Sequence, residues 1–165
     1  MFSSQVASAL SYTMEITEQE LQQRVTAMMP IQVTKPQISV VFLDPKVRLL
    51  KDSDEVAVSS PLELAVAGVL KVSGYVNVKG TLRYEATTGE FFLKNPVISE
   101  MEVKNLPEKY QPKAREAAQL AIEKTLATRP VYKLQDNHLK QRLAKAVLQS
   151  VDVKNEKLLV TLSVF

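Results

Sequence analysis

The side chains that carry most enzyme chemistry are scarce in this chain. Cysteine is absent and histidine occurs once, as His138. Thiolate catalysis, disulfide exchange and cysteine-based zinc or iron–sulfur sites are thereby excluded, and one imidazole does not make a multi-histidine metal set. His138 follows Asp136 and Asn137, either of which suits a helix N-cap, and no serine, acid and base stand with it in the arrangement acyl transfer uses. It reads as a surface or capping residue. Asp44, Asp52, Asp54 and Glu55 supply oxygens of the kind calcium takes, but without EF-hand spacing or its glycine they read as a solvated turn. Gly68, Gly74 and Gly80 match neither the dinucleotide fingerprint nor the P-loop, and their spacing places them inside strands. The expectation is a protein without cofactor or metal, and not an enzyme.

Partners are narrowed in the same way. Tryptophan is absent and aromatic residues make up 6% of the chain, which leaves little with which to stack bases, so nucleic acid is not expected. The net charge of +3 is mild but unevenly spread. Residues 104–149 hold ten basic side chains against Glu108, Glu116, Glu123 and Asp136, whereas the chain before them is slightly acidic. That basic stretch is either a solvated helical surface or a docking face for an anionic membrane surface or an envelope protein, with Lys124, Arg129 and Lys140 the residues to test. Every apolar run is interrupted well short of the 18 or so residues a membrane-spanning helix needs. Met1–Ser11 has neither the basic start nor the apolar stretch of a secretory signal and reads as a flexible N-terminal segment, residues 1–11, before a single domain over residues 12–165.

The elements that would position any site follow from periodicity. Tyr12–Ile16 is a short extended lead-in, and Thr17-Glu18-Gln19-Glu20 is a capping box opening a helix with Leu21, Val25, Met28 and Met29 on one face. Pro30 stops it. From Ile38 to Val103 the period is two, and between Val56 and Tyr84 nearly every apolar residue falls on an even number, the pattern of long antiparallel strands with one buried face. Glycine at 68, 74 and 80 leaves gaps on that face and favours a coiled sheet over a flat one. Thr87–Glu90 reads as a hairpin turn, and Asn95-Pro96 as a bulge or edge position. After Pro112 a helix carries Ala114, Ala117, Ala118, Ala121, Ile122, Thr125 and Leu126 at helical spacing, a narrow stripe suited to lying close on a sheet. A third helix is expected with Leu139, Leu143, Ala146 and Val147 inward, and the closing strands Val151–Lys154 and Leu158–Val164 are expected to rejoin the main sheet.

The expected fold is therefore α+β: a long, coiled antiparallel sheet wrapped around a long helix, with additional helices toward the N- and C-termini. Its apolar inner face is the one remaining candidate site. Leu64, Val66, Leu70, Val76, Val78 and Leu82 from the strands, with Ala118 and Ile122 from the helix, would line a groove for an apolar ligand or, equally, a packed core. Composition is the same for both.

Three blocks carry a family resemblance: Tyr12-Thr13-Met14-Glu15-Ile16-Thr17-Glu18-Gln19-Glu20-Leu21-Gln22-Gln23, then Phe92-Leu93-Lys94 leading to Glu100-Met101-Glu102-Val103, and Arg129-Pro130-Val131-Tyr132-Lys133-Leu134. Together they resemble the YceB-like family of bacterial periplasmic lipoproteins, which in turn resembles the tubular lipid-binding (TULIP) superfamily. The resemblance implies a lipid or other apolar small molecule held between helix and sheet. It also implies a periplasmic protein tethered to a membrane in its precursor through a signal peptide and a lipidated cysteine, neither of which stands in this chain.

Overall fold

The computed structural model describes residues 11–164, so the expected flexible segment lies outside the described residues except for Ser11, which begins the first strand. Two antiparallel sheets share one apolar core. The larger takes β2 (Ile31–Lys35), β3 (Ile38–Phe42), β5 (Val56–Val66), β6 (Leu70–Glu85), β7 (Glu90–Val103) and β8 (Tyr132–Lys133) in that order, with β4 (Lys46–Leu49) also pairing with β5. The smaller is β1 (Ser11–Thr17), β10 (Lys157–Ser163) and β9 (Val147–Lys154). The C-terminal strands thus join the N-terminal strand instead of the main sheet. The reason is Ile16, Leu158, Val160 and Leu162, all fully buried, which give this small sheet its own apolar face against the common core.

Helix α1 (Glu18–Ala27) opens on the expected capping box: the Glu20 amide donates to Thr17 Oγ1 at 3.1 Å and the Thr17 amide to Glu20 Oε1 at 3.0 Å. Helix α2 (Gln111–Thr125) follows a 3-10 turn at Glu108–Tyr110 and buries the whole expected stripe from Ala114 to Leu126. At about 1.5 Å per residue it is about 22 Å long, under half the reach of the 16-residue β6 at about 3.3 Å per residue. It packs on β2, β3 and β7. Helix α3 (Asn137–Arg142) is shorter than its periodicity suggests. Asp136 caps it, Leu143 and Ala146 are buried just beyond its end, and Val147 has become the exposed first residue of β9.

Even numbers do face inward along both β5 and β6. Gly68, at φ 74°, sits in the turn between them and not inside a strand. Val66 pairs with Leu70, Leu64 with Val72 and Val58 with Val78, so partners share parity and the alternation passes through the turn without a change of phase. In β7 the inner face changes parity twice. Leu93 lies opposite Leu82, Ile98 opposite Val78 and Met101 opposite Val76, because the register slips once between Lys79 and Thr81 and again between Asn77 and Val78. Gly74 makes this pairing possible: a Cβ there would collide with the Glu102 carbonyl oxygen and lie 2.9 Å from Val103 Cα.

Two strands with an open side are closed by glutamine side chains from helices. Gln22 of α1 accepts from the Val47 amide and donates to the Pro45 carbonyl, both at 2.7 Å. Gln119 of α2 accepts from the Ile98 amide at 3.2 Å and donates to the Pro96 carbonyl at 2.9 Å. Each supplies to a strand the donor and acceptor that a neighbouring strand would have offered.

Candidate functional site: the seam between helix and sheet

The apolar rows of β3, β5, β6 and β7 meet α2 along a seam. On the helix side the contact residues are small, with Ala114, Ala117, Ala118 and Ala121 all essentially fully buried, so the helix axis comes close to the sheet. A void of about 10 Å³ remains in the seam, with Phe42, Val58, Val76, Val78, Ile122 and Leu126 among its walls. That is roughly the space of one water probe. Its single polar wall group, the Ser60 hydroxyl, already donates to the Leu43 carbonyl at 2.7 Å. In this state the seam is packed core.

The seam has a mouth. Where β7 ends and α2 begins, a cleft of about 720 Å³ is floored by Met101, Val103, Leu106 and Ala114 and rimmed by Glu102, Glu108 and Arg115. Met101 pairs directly with Val76, and Val76 is a wall of the void. One cross-strand pair therefore separates the open cleft from the interior. The helix flank of the seam is pinned by Gln119 and by Arg115, whose Nη2 donates to the Ile98 carbonyl at 3.3 Å, and the N-terminal end by Lys113 Nζ on Gln37 Oε1 at 3.1 Å.

The residues singled out from the sequence fall in three places. Val76, Val78 and Ile122 wall the void; Val66, Leu82 and Ala118 are buried in the core around it. Leu64 and Leu70 border a different hollow of about 800 Å³, whose other walls include Ser39, Glu63, Lys71, Ser73 and Lys104. Because Ser39 pairs with Ala65 and Ala65 with Lys71, that hollow lies on the odd-numbered, outer face of the sheet, away from the seam. The cleft residues Met101, Val103 and Leu106 and the clasp residue Gln119 were missed. Glu100–Val103 shows alternation, but which alternate faces inward depends on the two slips in β7.

No titratable side chain walls the void. The shifted groups lie elsewhere: burial raises the Tyr84 hydroxyl, and burial followed by the charge of Glu20 raises Tyr132. On the outer face the Tyr75 hydroxyl, hydrogen-bonded to Glu100 and near Glu102, is pushed up to about 12. Among the described residues no cluster of three or more metal-ligating side chains occurs, His138 is exposed, and Asp44, Asp52 and Asp54 face solvent.

A family described as "Protein of unknown function (DUF1439)" matches residues 16–157, from the last inward residue of β1 to the first residue of β10. The chain belongs to this family. The DUF1439 match takes in both partners of the seam, its mouth and both glutamine clasps. No curated protein matches the sequence. Among solved structures, this DUF1439 chain is similar to one titled "Crystal structure of lipopolysaccharide binding protein", with 10% identity and a TM-score of 0.35 over 96% of this chain and 40% of that one. It spans well under half the length of that protein.

Proposed function

We propose that this DUF1439 chain is a non-enzymatic domain of a bacterial cell-envelope protein that holds a lipid or other apolar molecule between α2 and the large sheet, the molecule entering through the cleft at Met101 and Val103. The reading includes the finer lineage, a YceB-like periplasmic lipoprotein tethered to a membrane in its precursor, and the finer fold, a TULIP-like sheet wrapped around its helix. Contacts of α2 with β2 and β3 on one side and β7 on the other support that wrapping, since these strands are separated by β5 and β6 in the sheet order.

The observation that carries the proposal is the Val76–Met101 pair, with the interior void on one side and a half-open apolar cleft on the other. Entry requires α2 to move outward, with Gln119 releasing Pro96 and Ile98. Each methylene then buried returns about 0.8 kcal/mol, so an acyl chain offsets a few broken polar contacts. The absence of titratable groups from the void suits an uncharged chain and no catalysis.

Native mass spectrometry of protein purified from its own host, together with titration by a fluorescent fatty acid, tests the reading. A bound apolar species, or saturable uptake that drops about tenfold when Met101→Trp fills the cleft, is the expected result. Absence of both in a protein with native circular dichroism would overturn it. Binding instead lost on charge reversal at Lys124, Arg129 and Lys140, with no uptake at all, would favour a docking module with a packed core.

A further inference from the structure

The hollow on the outer face of the sheet is chemically unlike the seam. Its floor is two cross-strand rows, Ser39–Ala65–Lys71 and Val41–Glu63–Ser73. Its rim is closed by Lys104 and Asn105, where the left-handed Asn105 (φ 64°) turns the chain from β7 toward α2. Two lysines from different elements thus face one cavity that contains a single carboxylate, Glu63. None of the side chains of Ser39, Glu63, Lys71, Ser73, Lys104 or Asn105 has a hydrogen bond or ion pair among the described residues. Elsewhere on the surface Lys113, Lys133 and Lys157 each hold a partner on the protein.

The size and walls of the hollow narrow the occupant. About 800 Å³ is far more than an inorganic anion fills and falls in the usual range of small-molecule sites. Leu70 lies in its wall, and the adjoining Val69, at the tip of the β5–β6 turn, is 85% exposed, the most exposed large apolar side chain among the described residues. A net positive, hydroxyl-bearing cavity beside an exposed apolar tip is complementary to an anionic group carried on an apolar body.

We propose that this hollow binds the phosphate headgroup of an anionic phospholipid, with Lys71 and Lys104 flanking the phosphate, Ser39 and Ser73 donating to its oxygens, and the start of the acyl region lying over Leu70 and Val69. The site is separated from the seam by the thickness of the sheet, so it does not rest on the seam holding a ligand.

The test uses the full chain and short-chain lipids below their micelle concentration. Dihexanoylphosphatidylglycerol is titrated by calorimetry and by amide NMR, with dihexanoylphosphatidylcholine and inorganic phosphate as comparisons. Saturable binding is expected, with shifts centred on Ser39, Lys71 and Lys104 and affinity about tenfold or more above either comparison. The double variant Lys71→Glu/Lys104→Glu, both exposed positions, should weaken it about tenfold or more, and Glu63→Gln should strengthen it, a gain that misfolding cannot mimic. Absence of saturation, or unchanged affinity in the double variant, would overturn the proposal. Equal binding of inorganic phosphate would overturn the lipid assignment, and a parallel loss of fatty-acid uptake in the double variant would overturn its separateness from the seam.

Discussion

The two faces of β3, β5 and β6 are built from the same residues in alternation, yet they end in opposite states. On the even face, Val58 and Val78 pair across strands and, with Phe42 and Val76, wall a seam against α2 that retains about 10 Å³. On the odd face, Ser39, Glu63, Lys71 and Ser73 meet no covering element among the described residues, and about 800 Å³ stays open. Side-chain volume is not what separates them, since the helix brings alanines to the closed face. A covering element is what turns a row of side chains into a core, and its polar clasps decide how firmly the cover is held. The closed face has room for more only if α2 moves; the open face has it without any movement.

The sharpest way to break this contrast is at the pairing on which the closed face depends. Gly74→Val should cost about 4 kcal/mol or more, because the new side chain meets the backbone of Glu102 and Val103 and not a mobile side chain. Urea unfolding measures it. Ile122→Ala leaves the cover in place but enlarges the void beneath it. A loss of about 2–5 kcal/mol is expected, together with faster fatty-acid uptake if the seam is the binding site.

Gln119→Leu acts on the clasp alone. Leaving the Pro96 carbonyl and the Ile98 amide without their partner should cost about 1–3 kcal/mol, and hydrogen exchange at Ile98 should accelerate while the β5–β6 pairing keeps its protection. The smallest effect belongs to the outer face. Tyr75→Phe should lower stability at neutral pH only slightly, because the exposed hydrogen bond to Glu100 is screened by solvent. The folded-state pKa of Tyr75, about 12 through its hydrogen bond to Glu100, lies above the ordinary value of 10, so the folded chain keeps a proton that the unfolded chain loses. That contribution is complete below pH 10 and is lost as pH rises toward 12. Ultraviolet titration of the phenolate, wild type against Tyr75→Phe, follows it.

How far the sequence could be read depended on where the register slips. The β5–β6 alternation was legible because every pair from Val56–Gly80 to Val66–Leu70 keeps one register, although that same constancy hid the turn at Gly68. The capping box and the alanine stripe were legible because both are local, set by neighbours three or four positions apart. The inward residues of β7 were not, since one slip moves its inner face from odd to even and the next moves it back, and slips are fixed by the partner strand. The destination of the last two strands was hidden for a similar reason. Val160 and Leu162 alternate as any half-buried strand would, and nothing local tells that their partner is Met14 and Tyr12, nearly the whole chain away. The void takes its walls from β2, β3, β5, β6 and α2 at once, beyond the reach of any linear pattern, whereas the cleft is lined by the single stretch 101–115 and was hidden by the slips in β7 alone.

The glutamine clasps have a consequence for how copies of this protein meet one another. Strand β4 pairs with β5 alone, and most of β7 with β6 alone, so each would offer a row of unused amides and carbonyls to the strand of another molecule. Gln22 and Gln119 occupy one donor and one acceptor on each of those rows, two residues apart, and the helices that bear them stand where an incoming strand would have to lie. The same amide that holds a helix down thereby occupies part of the edge a second strand would pair with. A clasp that opens leaves, for as long as it is open, an edge on which self-association can begin.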